Sequence, residues 1–251
     1  MRFRTIQASA VRSVFEVLKD ILNDVNIYFD ESGMRILTLD TARVALVDVH
    51  LLADNFEEYT CASPITAGIN VTNIHKLLKI INTSDIMMVE VKSTDYMDIL
   101  IESSQKNTKT SFQLKLLDID DNQIEVPDID MSVITTLPSV DFQRICRDMG
   151  NISTELTIAR TQMNLTVSCA GDFANQETTI KCTGDEKVCV DYEIRGVYSL
   201  KYLNLFTKAT SMCSILQIMQ ERANRFLVLK YNVANLGELK FYLATKIEEE
   251  A

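Results

Sequence analysis

Leu117-Asp118-Ile119-Asp120-Asp121-Asn122-Gln123-Ile124-Glu125-Val126-Pro127-Asp128-Ile129-Asp130 is an acidic stretch with a proline near its middle, in a chain with only 3 prolines and 7 glycines. A proline among clustered acids reads as a connector rather than as part of a strand or helix. It divides the 251 residues into nearly equal halves. Outward from it lie a first domain over residues 1–117, a connecting loop over 118–133 and a second domain over 134–251.

Most of each half alternates apolar and polar residues with period two. Residues 43–51, 111–116, 164–169 and 226–231 are strand-like in this sense. Four segments break the rhythm with helical spacing: Val11, Val14, Phe15, Leu18 and Leu22; Ile74, Leu77, Leu78 and Ile81; Phe142, Ile145, Cys146 and Met149; Leu200, Leu203 and Phe206. Each half has one helix near its start and another about 60 residues later, spacing that reads as a duplicated architecture. The expected fold class is α+β, with helices on one face of mostly antiparallel sheets.

Charge placement bears on function. With 35 acidic and 25 basic residues the net charge is −10, which excludes a generally basic nucleic-acid binder unless the cations gather on one face. The polar faces of the four helices carry Arg12 and Lys19, Lys76 and Lys79 with His75 beside them, Arg144 and Arg147, and Lys201 and Lys208. Glu16, Asp20, Asp141 and Asp148 dilute this pattern. One reading is a solvated helix surface. The other is a basic wall that attracts phosphates without reading bases, and so can slide.

Enzyme chemistry finds no foothold. Two histidines, His50 and His75, cannot make a three-histidine zinc site, and no serine–histidine motif accompanies them. No phosphate-binding glycine loop is present, so ATP-driven steps belong to a partner. Asp118 to Asn122 opens like a calcium loop, but Gln123 and Ile129 stand where glycine and glutamate are required. No cofactor, metal or catalytic residue is therefore expected. The six cysteines (Cys61, Cys146, Cys169, Cys182, Cys189 and Cys213) contain no C-x-x-C pair and read as reduced core residues. No signal peptide or apolar run of about 18 residues points to export or a membrane.

Four stretches resemble the proliferating cell nuclear antigen family of DNA sliding clamps. Ser139-Val140-Asp141-Phe142-Gln143-Arg144-Ile145-Cys146-Arg147-Asp148 resembles its third helix, and Lys201-Tyr202-Leu203-Asn204-Leu205-Phe206-Thr207-Lys208-Ala209-Thr210 its fourth. Leu39-Asp40-Thr41-Ala42-Arg43-Val44-Ala45-Leu46-Val47 is similar to its central loop and strand, and Leu239-Lys240-Phe241-Tyr242-Leu243-Ala244-Thr245-Lys246-Ile247-Glu248 to its C-terminal strand and tail. The resemblance runs over the whole chain and fits a divergent or viral member.

What the resemblance implies is specific. Two similar clamp domains per subunit, sheets outside and helices inside, would close head to tail into a homotrimeric ring around duplex DNA. The eight helix cations would face the hole. Phe112, Leu114 and Leu116 would meet Gln176, Thr178 and Ile180 of the next subunit. Polymerases and other proteins would dock a short peptide in a pocket of Leu39, Arg43, Val44, Ile124, Val126, Pro127, Phe226, Tyr242, Leu243 and Ala244. Ile124, Val126 and Pro127 are apolar residues in an acidic loop; they either pin it to the body or await that partner. An ATP-dependent loader would open the ring, and the nucleus, or the site of viral DNA replication, would be its place of work. A checkpoint-type or heterotrimeric clamp subunit is the alternative within the same fold. Thr245 and Phe226 stand where the family commonly has proline, Arg43 where it often has histidine, and Gln162 where it carries the lysine modified by ubiquitin.

Overall fold

The structure, a computed structural model, describes residues 1–103, 105–120, 124, 133–182, 193–221 and 223–246. Packing groups Met1–Thr41, Val47–Glu125 and Asn232–Leu239 in one unit, and Ala42–Leu46, Val126–Tyr231 and Lys240–Ala251 in a second. The units are thus not contiguous in sequence, because residues 42–46 and 232–239 each group with the opposite half.

The first half runs β1 (Arg2–Thr5), α1 (Ala8–Leu18), β2 (Asp24–Asp30), β3 (Gly33–Leu39), β4 (Ala45–Leu52), β5 (Glu58–Thr60), β6 (Ile65–Asn70), α2 (Val71–Leu78), β7 (Ile86–Val91), β8 (Tyr96–Ser103) and β9 (Thr108–Lys115). β5, β1, β7, β8 and β9 form a sheet in that order, with β9 at its end. β2 pairs with both β3 and β6, antiparallel. Alternation works as read in β9, where Phe112 and Leu114 are half-buried while Ser111, Gln113 and Lys115 are exposed. It fails in β4: Ala45 to Val49 are buried without a break, as in a strand covered on both faces.

The second half repeats the order, without a counterpart of β5 among the described residues: β10 (Val133–Pro138), α3 (Ser139–Met149), β11 (Glu155–Arg160), β12 (Asn164–Ala170), β13 (Asn175–Lys181), β14 (Ile194–Ser199), α4 (Leu200–Phe206), β15 (Ile215–Gln220), β16 (Phe226–Val233) and β17 (Gly237–Ala244). β13, β12, β11 and β14 form a four-stranded sheet with β13 at its end. β15 pairs with β10 and β16, again antiparallel. α4 is short; a 3₁₀ turn over Thr207–Ser211 continues it and carries Lys208.

β4 and β17 run side by side. The Leu52 N–H donates to Leu236 O at 2.9 Å, and the Ala244 N–H to Val44 O at 3.5 Å. Gly237 permits the approach, since a Cβ there would stand 2.0 Å from His50 O.

Helix pairs fill the space beside the sheets. In the first unit α1 packs on α2, burying Val11, Val14, Phe15 and Leu18 with Ile74 and Leu78. α1 stops at Leu18; Leu22 lies in the following turn yet is still buried, held by its N–H to Leu18 O at 2.8 Å. Asn70 caps α2 by accepting from the Asn73 N–H at 3.0 Å, a bond worth about 1 kcal/mol. In the second unit α3 packs on α4, and Phe206 stacks on Phe241 with centroids 4.5 Å apart. Two cysteines, Cys146 and Cys169, are core residues as read; Cys61, Cys182 and Cys213 are only half-buried, and Cys189 lies outside the described residues. The correction is physical: the three half-buried thiols sit at or beyond strand ends, where alternation no longer implies a covered face.

Candidate nucleic-acid interface and partner surface

The helix cations differ in how they are held. In the first unit Lys76 and Lys79 are exposed at the end of α2 and make no ion pair among the described residues. Arg12 is half-buried, and its guanidinium donates to Ile81 O, in the turn just past α2. A cation there satisfies a carbonyl of the turn and sits favourably near the negative end of the helix dipole. Lys19 is also half-buried, with Nζ 3.5 Å from His75 Nε2.

His75 is not on the basic face. It is 6% exposed, and burial, reinforced by Lys19, lowers its pKa, so the ring is neutral at pH 7. With Nε2 facing an ammonium, the ring proton belongs on Nδ1, which finds no hydrogen-bond partner among the described residues. The sequence missed this because His75 is one position after Ile74, and the apolar arc of α2 is wide enough to take it in.

In the second unit Arg144, Arg147, Lys201 and Lys208 are all exposed. Arg144 pairs with Asp141 at 3.2 Å and Arg147 with Asp148 at 3.5 Å, both pairs open to solvent. Such pairs are worth about 0–1 kcal/mol and exchange readily for a phosphate. Lys201 Nζ lies 5.8 Å from the Tyr202 ring centroid.

The two candidate subunit edges have matching patterns. In β9, Thr110, Phe112 and Leu114 are half-buried and alternate with exposed Lys109, Ser111, Gln113 and Lys115. Leu116 follows the strand, half-buried, its N–H on Asp95 O at 2.8 Å. In β13, Gln176, Thr178 and Ile180 are half-buried and alternate with exposed residues in the same way. Each strand has one hydrogen-bonded neighbour in its own sheet.

Of the residues expected to bind partner peptides, Arg43, Val44, Phe226, Tyr242, Leu243 and Ala244 belong to the second unit, and Leu39 and Ile124 to the first. Val126 and Pro127 lie outside the described residues. Val44 is 39% exposed, Ala244 is exposed, and Tyr242 and Phe226 are half-buried. Leu243 is the exception, at 1% exposed: β17 turns it to the core, so its side chain is not available to a partner. Arg43 is exposed and has a φ of 56°, left-handed for a non-glycine residue, in the tight turn before β4. Gln162 is exposed in the turn between β11 and β12.

Comparison with known proteins decides the family. The model for the proliferating cell nuclear antigen N-terminal domain matches residues 1–124, and that for its C-terminal domain matches residues 125–246. The chain belongs to the proliferating cell nuclear antigen family. It is also 38% identical, over 251 residues, to a protein of Paramecium bursaria Chlorella virus 1 named probable DNA polymerase sliding clamp 1, covering 96% of this chain and 95% of that one. Proliferating cell nuclear antigens are non-catalytic clamps of DNA replication, and the exposed helix cations give this member a surface suited to phosphates. No described helix is long and apolar enough to cross a membrane.

Proposed function

We propose that this sliding clamp encircles duplex DNA as a homotrimer, holds polymerases and other docking-peptide proteins on it, and performs no chemistry of its own. The observation that carries the ring is the repeat of topology. β17 stands in the order of the second half where β9 stands in the first, and β13 stands in the second half where β4 stands in the first. β4 and β17 run side by side within the chain. β9 and β13 are left at sheet ends with half-buried side chains and no second strand partner among the described residues, the condition under which a strand seeks a partner. Using the same pairing between copies joins them head to tail, and such an interface closes into a ring when the rotation permits.

The six exposed helix cations, Lys76, Lys79, Arg144, Arg147, Lys201 and Lys208, supply the sequence-independent attraction for DNA in this reading, while Arg12 and Lys19 are held by the fold. An ATP-dependent loader opens the ring, since the chain carries no phosphate-binding loop. The clamp works where DNA is replicated, in the nucleus or at a viral replication site. The test is mass in solution. Purified protein is expected to sediment at three times the 28.4 kDa chain, and Phe112→Ala to shift it toward monomer by removing a large apolar side chain from the interface. A wild-type monomer at micromolar concentration would overturn the homotrimer and favour a heterotrimeric or checkpoint-type clamp.

A further inference from the structure

Thr245, which replaces the proline usual in the family's tail, is the residue by which the tail is held. Its N–H donates to Arg225 O at 2.9 Å, a bond no proline can make. Its hydroxyl donates to Asn224 O at 2.5 Å and lies 3.5 Å from the Tyr198 hydroxyl. One residue on, the Lys246 N–H donates to Val197 O at 2.8 Å, and its ammonium pairs with Glu155. The tail is therefore bonded both to the turn between β15 and β16 and to β14.

That turn is itself fixed. Glu221, 4% exposed, accepts from the Arg225 N–H at 3.0 Å and from two guanidinium nitrogens at 3.1 and 3.0 Å. Asn224 has a φ of 50°. Its side chain accepts from the buried Tyr198 hydroxyl at 2.8 Å and donates to Arg195 O. Gly196 leaves the space for this knot, because a Cβ there would lie 2.4 Å from the Tyr198 hydroxyl and 2.7 Å from Asn224 Nδ2. Phe226 directly follows the turn and Ala244 directly precedes Thr245.

We propose that Thr245, Asn224 and Tyr198 form a latch that positions Phe226 and Ala244, the rim of the partner-peptide pocket. The proposal rests on the pocket reading above. The three are positioning residues and touch no partner themselves. An exposed rim held by few bonds is open to fraying, and a peptide binding a frayed rim bears the cost of ordering it.

The experiment compares wild type, Thr245→Val, Thr245→Pro and Thr245→Ser as full chains. It reads hydrogen exchange at the Lys246 and Asn224 amides and the affinity of a fluorescent docking peptide cut from the cognate polymerase. Thr245→Val and Thr245→Pro are expected to speed exchange and to weaken the peptide, Thr245→Val about fivefold, the worth of one neutral hydrogen bond, and Thr245→Pro by more because it also loses the N–H bond, with assembly mass unchanged. Thr245→Ser is expected to restore both. Unchanged exchange in Thr245→Val and Thr245→Pro overturns the latch. Faster exchange with unchanged affinity overturns the positioning role. Tyr242→Ala then separates the two readings: weaker binding there leaves the pocket standing, whereas unchanged binding removes the pocket as well.

Discussion

The first unit consumes half of its helix cations internally, whereas the second displays all of its own and leashes two of them with acids. Arg12 binds the turn after α2 and Lys19 faces a buried histidine, while Lys76 and Lys79 are exposed and make no ion pair among the described residues. In the second unit Arg144 and Arg147 stand in water beside Asp141 and Asp148. The difference teaches that a cation on a polar helix face has two possible employers, the fold and the ligand, and that burial tells them apart.

Charge reversal is expected to break the comparison most sharply. Lys76→Glu with Lys79→Glu, or Lys201→Glu with Lys208→Glu, removes two phosphate-binding cations per subunit. The log–log salt slope of DNA affinity should then fall by about 0.9 for each phosphate no longer neutralised, with the trimer intact. Reversal of Arg12 would not report cleanly on DNA. Arg12→Ala is expected instead to cost about 1.5–3 kcal/mol in denaturant unfolding, because a part-buried carbonyl loses a charged donor. Arg144→Ala should stay within about 0.5 kcal/mol by the same measurement.

Smaller effects sharpen the contrast. Asp148→Asn frees Arg147 and should tighten DNA by less than about 1 kcal/mol in a titration at low salt. His75 gives the smallest signal, and one confined to the first unit. Its pKa is lowered by folding, so between its unfolded value near 6.5 and the lower folded value the unfolded chain binds the extra proton. Its contribution to stability is whole above about pH 6.5 and is lost as pH falls through that window. Melting followed from pH 7.5 to 5 should show a decline that His75→Gln lessens.

The sequence revealed the fold through period: alternation in β9 and β12, and helical spacing in the four helices. It failed where burial is two-sided, as in β4, because alternation vanishes when both faces are covered. It also failed at strand ends, where Cys61, Cys182 and Cys213 proved half-buried. Exposure of six of the eight cations was legible, since helical faces follow from spacing alone, whereas Arg12 and Lys19 are half-buried. The bond that holds Arg12 was not legible, because its acceptor, Ile81 O, is 69 residues away. Leu243 entered the pocket by position in the family, yet β17 sends its side chain inward. The tail latch joins residues 155, 197, 198, 224, 225, 245 and 246, and no local pattern announces such a meeting.

Encirclement is the centre of the account, and topology tests it most directly. The clamp is loaded onto a closed circular duplex with the cognate loader, freed of loader and ATP, and counted on the DNA before and after a single double-strand cut. The account predicts retention on the circle, through moderate salt, and prompt release once the cut gives free ends to slide from. Equal retention on circular and cut DNA, falling in parallel as salt rises, would mean that the helix cations bind a surface rather than surround a duplex, and would contradict the ring.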